Sequence, residues 1–213
     1  MRLLFLSVSL LVLACCASSA RADRVTLLWL QNRSSPSTGS GTVYEAVSAS
    51  SVGVGYSRSL ELAAEIETGL YFLPRNFAST GAGLTGSTSG AFLQVPLAVR
   101  LWMNRYVSLL GGFYGAYGLG TLRNTSDFGG GPISSDIGYS AFGLKRFDLG
   151  LLAGLGIDIP IVENVGIAID GRYGFGLTNA SADISGFSST SSWKHRDLTI
   201  LLGLRLGERD RLR

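Results

Sequence analysis

Histidine, lysine and cysteine are scarce in this chain of 213 residues. His195 is the single histidine, and the lysines are Lys145 and Lys194. One histidine excludes a multi-histidine metal site, and a site built from carboxylates alone would need a convergence of strands that the sequence does not show. We therefore predict no metal and no cofactor. A surface in contact with water is normally rich in lysine, so its scarcity also argues against an ordinary soluble protein.

Both cysteines, Cys15 and Cys16, lie in the first segment of the chain. That segment, residues 1–22, has a basic start, an apolar run and the small-residue sequence ARA at its end. This order is typical of a secretory signal peptide. We therefore expect a mature chain that begins at Asp23, is exported and has no disulfide bond. An alternative stays open, because VLAC (12–15) resembles a lipobox and would make Cys15 a lipidation site.

Long apolar runs and excess charge are also missing. After the predicted signal peptide, no apolar stretch reaches the length that a membrane-spanning helix needs. The formal net charge is +3, and it falls to +1 without Arg2 and Arg21, when 16 basic residues face 15 acidic ones. So small an excess of positive charge gives no reason to expect a nucleic-acid partner.

The chain does contain abundant glycine and a repeated alternation of apolar and polar residues. Glycine accounts for 29 residues, and hydrophobic residues make up 46% of the chain. In LELAAEIETGLYFLP (60–74), the leucine, isoleucine and phenylalanine residues up to Phe72 fall on one parity and three glutamates fall on the other. A strand sends alternate side chains to opposite faces, so this pattern predicts a strand with one apolar face. Similar segments, the first two of them weaker, are 25–31, 43–57, 93–101, 107–119, 147–159, 165–177 and 198–206.

The connections between these eight predicted strands alternate in length. Short connections at 58–59, 103–105 and 160–164 alternate with long ones, rich in Ser, Thr, Gly and Asn, at 32–42, 73–91, 120–145 and 178–195. This pattern predicts an all-β fold, an eight-stranded antiparallel up-and-down transmembrane β-barrel with its long loops outside the cell. The predicted barrel covers residues 23–207, and a charged C-terminal tail, 208–213, follows it.

The composition of the polar faces indicates which side of each strand meets lipid. These faces consist mainly of Gly, Ala and Ser with scattered charges, which is a poor surface for contact with water. We therefore assign the apolar faces to lipid and the polar faces to a narrow lumen, where serine at Gly150 or Gly154 should cost little. The expected aromatic girdles consist of Tyr56 and Tyr106 near the short turns, and of Tyr71, Phe72, Phe92, Tyr117 and Phe175 near the long loops.

A set of charged residues falls on the lumen-facing parity. Charges that are excluded from lipid must pair or be hydrated inside the barrel, so we predict a polar network that plugs the lumen. A narrow pathway for a small solute or a proton through these charges is the alternative. The predicted network consists of Glu61, Glu65, Glu67, Arg100, Asp148, Asp158, Asp170, Arg172, Asp197 and Arg205.

Four segments of the chain resemble a known family. They are AFLQVPLAVRLW (91–102), FDLGLLAGLGIDI (147–159), IAIDGRYGFGLTNAS (167–181) and LTILLGLRLG (198–207). They look like the outer-membrane β-barrel domain family that includes PorT-type proteins, and LQVPL and DGRYGFGLTN are the most specific pieces. The resemblance implies an outer-membrane barrel and, through the PorT-type relatives, a link to protein secretion. The chain departs from many such barrels at its end, where GERDRLR stands in place of a terminal aromatic residue.

Two short motifs resemble enzyme signatures. GAGLTG (81–86) matches the glycine pattern of dinucleotide-binding loops, but Ser and Thr follow it instead of a helix, so we interpret it as a flexible surface loop. His195-Arg196-Asp197 resembles the start of a kinase catalytic loop but lacks the asparagine that the motif needs. A small membrane-embedded hydrolase stays an alternative, because His195 lies near the predicted outer boundary of the membrane beside Ser188, Ser189, Ser191 and Ser192.

These observations favour a non-enzymatic, monomeric barrel in the bacterial outer membrane. The lumen is expected to be closed by side chains, since eight strands leave little room inside. Membrane lipid is one expected partner, and a protein that contacts the long extracellular loops is another. The role that fits best is structural, interactive or accessory to secretion.

Overall fold

A computed structural model describes residues 23–37, 43–60, 63–81, 84–127, 131–141, 144–179 and 194–207 of the chain. The predicted signal peptide, the charged tail and Glu61 lie outside these residues. In the described part no helix is long and apolar enough to cross a membrane. The strands are β1 (Asp23–Ser37), β2 (Val43–Ser59), β3 (Ala64–Gly81), β4 (Leu84–Trp102), β5 (Val107–Asp127), β6 (Pro132–Ile137), β7 (Phe147–Val162), β8 (Val165–Gly176) and β9 (Lys194–Gly207).

All of these strands except β6 form a closed barrel. The order around the wall is β4, β3, β2, β1, β9, β8, β7 and β5, and a further pairing of β4 with β5 closes the ring. Each neighbouring pair is antiparallel. The predicted eight-stranded antiparallel up-and-down barrel is therefore confirmed. Closure removes the sheet edges, and a sheet that lies in lipid needs this because no water is available there to pair its amide groups.

Several strands continue well beyond the lengths expected from the sequence. The predicted long connection 73–91 is mostly a hairpin extension, in which β3 and β4 stay paired as far as Gly81 and Leu84. β5 also continues past the barrel rim, and its outer part, Leu122–Asp127, pairs with the added strand β6. Main-chain hydrogen bonds hold these extensions together regardless of side-chain polarity, so Ser- and Gly-rich stretches remain in the sheet.

These extensions correct two predictions about loops. Residues 32–37 belong to β1, so the first long connection is shorter than its composition suggested. Gly81 ends β3, and Leu84–Gly86 begin β4, so most of the GAGLTG motif is strand and its interpretation as a flexible surface loop was wrong. Residues 82 and 83 lie outside the described residues.

Side-chain exposure alternates along much of the barrel wall as the parity predicted, and β7 and β9 show it clearly. On β7, Leu149, Leu151 and Leu155 are 43%, 42% and 60% exposed, while Asp148 and Asp158 are buried inside the barrel. On β9 the outward side chains are leucine and isoleucine from Leu198 to Leu206. We call this outward apolar surface the apolar band. Its assignment to lipid follows from its composition and from the closure of the wall.

The aromatic girdles differ in part from the prediction. Phe72, Tyr106 and Tyr117 are exposed on the outside of the barrel, as expected for residues at a membrane boundary. Tyr71 and Phe92 are instead buried in the lumen. Parity explains the difference, because Tyr71 lies on the same face of β3 as Glu67, and Phe92 lies on the same face of β4 as Gln94. Tyr56 and Phe175 are half-buried.

Candidate functional site in the lumen

A lower layer of charged residues crosses the lumen at the short-turn end. Its members are Arg24, Glu65, Asp158 and Arg205, all buried. Arg24 pairs with Glu65, and its Nη1 lies 3.3 Å from Asp158 Oδ2, to which Arg205 Nη1 also donates at 2.8 Å. Trp102 Nε1 donates to Glu65 Oε1 at 2.5 Å. Two guanidinium groups thus face two carboxylates, and the layer has no net formal charge.

A middle layer follows, made of Glu67, Arg100, Asp170 and Arg172. Arg100 donates from Nη2 to Glu67 Oε2 and to Asp170 Oδ2, both at 2.7 Å. Arg172 Nη2 lies 2.6 Å from Glu67 Oε1 and donates to Asp170 Oδ2 at 2.5 Å. Each arginine therefore bridges both carboxylates, so this layer too has balanced formal charge and ties β3, β4 and β8 together across the lumen.

Neutral side chains complete the middle layer. Arg172 Nη1 donates to the Tyr71 hydroxyl at 3.0 Å, and Tyr71 donates to Glu67 Oε1 at 3.3 Å. Arg100 Nη1 donates to Ser108 Oγ at 2.8 Å, and Ser108 donates to the Gly156 carbonyl at 3.4 Å. These contacts fix both guanidinium groups in place, so the layer is a built structure and not a set of mobile charges.

Apolar side chains fill the lumen above the middle layer. They form two clusters of buried residues on opposite sides of the barrel. Leucine at these inward positions breaks the polar pattern of the lumen face and removes apolar surface from water. The clusters include Leu28, Leu30, Leu73 and Leu201 on one side, and Ala98, Leu110, Tyr114 and Leu152 on the other.

An outer layer of polar residues lies toward the long-loop end. Arg75 donates from Nη2 to Asp197 Oδ2 at 2.6 Å and from Nη1 to Asp148 Oδ2 at 2.9 Å. Tyr114 donates to Asp148 Oδ2 at 3.1 Å, and Thr178 donates to Asp148 Oδ1 at 2.8 Å. One guanidinium here faces two carboxylates, and neutral hydroxyl groups supply the remaining hydrogen bonds.

Aromatic rings cover the outer layer. The Arg75 guanidinium lies 4.6 Å from the centre of the Phe92 ring, and the Tyr139 ring meets Phe92 edge-on with 5.8 Å between centres. The Tyr139 hydroxyl donates to the Ala91 carbonyl at 3.3 Å, and burial raises the pKa of this phenol, which stays neutral. A Cβ added to Gly118 would lie 2.6 Å from the Tyr139 ring, so glycine there makes room for this cover.

His195 also faces the lumen, beside the outer layer. Its ring is buried and meets Phe92 edge-on with 5.8 Å between ring centres. Among the described residues, His195 Nδ1, Asp197 Oδ1 and Ser34 Oγ are buried without a hydrogen-bond partner. Ser34 lies directly opposite Asp197 across the β1–β9 ladder. Some buried polar atoms at this end of the lumen therefore lack the hydrogen bonds that buried polar atoms normally make.

The hydrolase alternative placed His195 at an accessible boundary, and the structure places it inside. Because its ring is buried in the lumen, a substrate in the membrane outside the wall does not reach it. The serines considered with it, Ser188, Ser189, Ser191 and Ser192, lie outside the described residues.

Two small cavities lie in the lower half of the lumen. One is lined by Thr26, Tyr71 and Arg172 among others, and the second opens at the short-turn end beside Asp158 and Arg205. Each has room for about one or two water molecules. Neither is large enough to hold an organic ligand, whose sites usually have volumes of about 300 Å³ or more.

Glycine positions in the lumen are tighter than the sequence suggested. A Cβ at Gly150 would lie 2.3 Å from the Tyr114 ring and 2.5 Å from the Phe175 carbonyl oxygen. At Gly154 it would lie 2.8 Å from the Gly171 carbonyl oxygen. The expectation that serine costs little at both positions was therefore wrong, because the Tyr114 ring and a backbone carbonyl crowd Gly150 and a backbone carbonyl crowds Gly154.

Arg24 and Arg75 belong to the charged layers although neither residue is in the network predicted from the sequence. Arg24 shares the parity of Thr26 on β1, and Arg75 shares the parity of Glu67 on β3. This parity was visible in the sequence, but Pro74 and the polar residues after it indicated a loop at the position of Arg75. Proline is tolerated here because its position faces a gap in the β2–β3 ladder, where the register shifts between Val47 and Gly53.

The described part of the lumen holds paired charges and packed side chains. No group of three or more His, Cys, Asp or Glu side chains in the described ranges is arranged to hold a metal ion. Of the predicted network, the structure brings Glu67, Arg100, Asp170 and Arg172 together in the middle layer. It places Glu65, Asp158 and Arg205 in the lower layer, and Asp148 and Asp197 in the outer layer.

Comparisons with known proteins found one matching family and several similar solved structures. A family model described as an outer membrane protein beta-barrel domain matches residues 31–182. The outer membrane protein OprG from Pseudomonas aeruginosa is similar in structure, with a TM-score of 0.50 and 13% identity over 89% of this chain and 97% of that one. The attachment invasion locus protein Ail of Yersinia pestis has a TM-score of 0.46 and 14% identity over 88% of this chain and all of that one. A search of curated proteins found no match.

Proposed function

This chain belongs to the outer membrane protein beta-barrel domain family, and we propose that it serves as a closed, non-enzymatic barrel in the bacterial outer membrane. In this proposal the wall anchors the protein in lipid and the lumen does not conduct solutes. The outer hairpins β3–β4 and β5–β6 carry an interaction role toward a partner outside the cell, and the role is structural or accessory to secretion.

The observation that carries the proposal is the stack of charged layers across the lumen. Arg100 and Arg172 each contact Glu67 and Asp170, which lie on different strands, so the middle layer crosses the lumen from wall to wall. Opening a path for a sugar would require breaking these buried ion pairs. Breaking one buried pair costs about 3–5 kcal/mol, so an open state would be rare.

Solute permeability of reconstituted protein tests the proposal. We expect vesicles that contain the folded barrel to exclude small sugars as well as empty vesicles do, while vesicles with a 16-stranded porin swell rapidly. Folding is checked in the same preparation by a gel mobility that changes on boiling. Swelling at a porin-like rate by correctly folded protein would overturn the closed-lumen proposal.

A narrow proton pathway is a second candidate. The two small cavities favour it, since both are lined by Arg205 and both have room for water between buried charges. A pH-sensitive dye inside the same vesicles separates the two functions. Rapid dissipation of an imposed pH gradient without sugar permeability would favour the pathway, and a gradient that lasts as long as in empty vesicles would exclude it.

A further inference from the structure

The outward surface of β1 and β9 changes abruptly from apolar to basic at its outer end. On β9 the apolar band runs from Leu206 to Leu198, and the next two outward residues are Arg196 and Lys194. On β1, Trp29 is followed on the same face by Gln31 and then by Arg33. Arg33 and Arg196 are both exposed.

The register brings these cations next to one another. Arg33 lies opposite Leu198, and Arg196 lies opposite Ser35, so the two arginines are diagonal neighbours across the β1–β9 ladder. Side chains in that relation lie about 7–8 Å apart at their Cα atoms and can reach the same ligand. Lys194 continues the row by one more outward position on β9.

Phe175 on the neighbouring strand β8 holds one of these cations at the edge of the band. It pairs with Arg196 in the β8–β9 ladder, and the guanidinium carbon lies 5.6 Å from the centre of its ring. The ring is half-buried on the outer face of the wall. Such a stacked guanidinium keeps its hydrogen-bond donors in one plane, which suits the bidentate recognition of a phosphate group.

No ion pair joins these cations to a carboxylate among the described residues, although the exposed Glu45 lies at the outer end of the neighbouring strand β2. On β1, β8 and β9 the described acidic residues beyond Asp23 face the lumen, and Asp23 lies at the opposite end. Two other exposed arginines have acidic neighbours. Arg58 Nε lies 3.9 Å from Asp23 Oδ1 at the short-turn end, and Arg123 on β5 lies directly opposite Asp136 on β6.

We propose that Arg33, Lys194 and Arg196 form a binding site for the phosphate groups of an anionic glycolipid in the outer leaflet of the membrane. The cations lie at the long-loop end, which faces outward in barrels of this class. The apolar band directly below them would contact the acyl chains of the same lipid. A site that joins an apolar surface to three adjacent cations fits a phosphorylated lipid better than it fits a soluble phosphate.

Lipid binding to the folded barrel in neutral detergent tests the site, with native mass spectrometry as the readout. The probes are a synthetic diphosphorylated glucosamine disaccharide that carries acyl chains, the same lipid without phosphates, and glucosamine phosphate without acyl chains. The variants are Arg33→Gln, Lys194→Gln and Arg196→Gln, singly and combined, with Arg123→Gln as the matched control. Heat-modifiable gel mobility verifies that each variant is folded.

We expect the diphosphorylated lipid to bind most tightly and with an affinity that falls as salt is raised. Each single variant should weaken it about fivefold, and the triple variant on the order of a hundredfold, while Arg123→Gln leaves it unchanged. Arg33→Lys should recover most of the binding, which a merely structural effect would not predict, whereas Arg196→Lys should recover less because lysine lacks the planar group that stacks on Phe175.

Several results would overturn the proposal. Equal binding of the lipid without phosphates would show that acyl chains alone are recognised. Equal binding of glucosamine phosphate would identify a soluble-phosphate site instead of a lipid site. If the triple variant kept its affinity, or if Arg123→Gln lost as much, the phosphate site would not lie on β1 and β9. If the triple variant fails to fold, the single variants at the exposed Arg33 and Arg196 decide the question.

Discussion

The middle and outer layers of the lumen satisfy their buried charges in different ways. In the middle layer Arg100 and Arg172 share the carboxylates of Glu67 and Asp170, so cations and anions are equal in number. In the outer layer Arg75 alone faces Asp148 and Asp197, and the hydroxyl groups of Tyr114 and Thr178 complete the hydrogen bonding.

The same contrast holds for the polar atoms that lack partners. Among the described residues of the middle layer, only Arg172 Nε is buried without a hydrogen-bond partner. In and beside the outer layer, the buried atoms without a partner are Asp197 Oδ1, His195 Nδ1 and Ser34 Oγ. The difference indicates that the middle layer fixes the barrel wall, while the outer layer, nearer to the water outside, tolerates incomplete pairing.

Removing one arginine from each layer should give the largest difference in the free energy of unfolding between the two layers. Arg75→Ala leaves the buried carboxylates of Asp148 and Asp197 without a cation and should lower the free energy of unfolding by about 3–5 kcal/mol. Arg100→Ala should lower it by about 1–3 kcal/mol, because Arg172 still contacts both Glu67 and Asp170. Urea unfolding in phospholipid vesicles measures both values. Equal losses would show that the two layers contribute alike.

Both layers lie inside the barrel wall, and the outward face of each strand is assigned to lipid. Leu151→Arg places a charge in the apolar band and should lower the free energy of unfolding by about 2–4 kcal/mol. Thr121→Arg, at an exposed position of β5 beyond the band, should change it by less than about 1 kcal/mol. The same urea titration applies.

Cysteine labelling gives an independent check of that assignment. Single cysteines at Leu149, Leu151 and Leu155 should react with a bilayer-soluble probe and resist a water-soluble one. Labelling of these positions from water would assign the leucine face to solvent and remove the basis for comparing layers inside a lumen.

Added methyl groups should separate the layers by a smaller amount. A Cβ at Gly156 would lie 2.2 Å from Arg100 Nη1 and 2.2 Å from Asp170 Oδ1, both held in the middle layer. Gly156→Ala should therefore lower the free energy of unfolding by about 1–3 kcal/mol. At Gly90, near the outer layer, the nearest atom is the end of the Leu122 side chain, which can move. Gly90→Ala should cost less than about 1 kcal/mol, and a larger loss than that of Gly156→Ala would contradict the assignment of rigidity to the middle layer.

A pair of serine variants gives the smallest expected difference. The Ser108 hydroxyl accepts from Arg100 and donates to the Gly156 carbonyl, so Ser108→Ala should lower the free energy of unfolding by about 1–2 kcal/mol. The Ser34 hydroxyl lacks a partner among the described residues, so Ser34→Ala should change it by less than about 0.5 kcal/mol. A clear loss in Ser34→Ala would reveal a hydrogen bond at the outer layer, for example to a buried water.

Alternation in the sequence was enough to predict the wall of the barrel. Leu149, Leu151 and Leu155 face outward as their parity indicated. A shift of the strand register by one residue would turn this whole row of leucines into the lumen, so the register is strongly specified. The pattern was weaker where inward residues are apolar. Leu30 and Leu201 are buried in the lumen, and no alternation distinguishes them from their outward neighbours.

The pairing of charges inside the lumen could not be predicted in the same way. Arg24 meets Asp158 and Arg75 meets Asp197, and in both cases more than a hundred residues separate the partners in the chain. Which inward residues meet depends on the tilt and stagger of the strands around the closed wall, and parity carries no information about either. Polar composition also hid the outer half of β3, so Arg75 was assigned to a loop.

The ladder between β1 and β9 joins the two ends of the barrel sequence, with Arg24 opposite Gly207 and Ser37 opposite Lys194. Around the ring, therefore, this seam is a ladder like any other, and the strands have a cyclic order without an intrinsic first member. A circularly permuted chain that joins Gly207 to Asp23 and opens instead in the short turn between Trp102 and Val107 would retain every ladder of the wall. In such a chain the last pairing to close would be β4 with β5, so the position of the termini decides which strands meet last and not which structure they form.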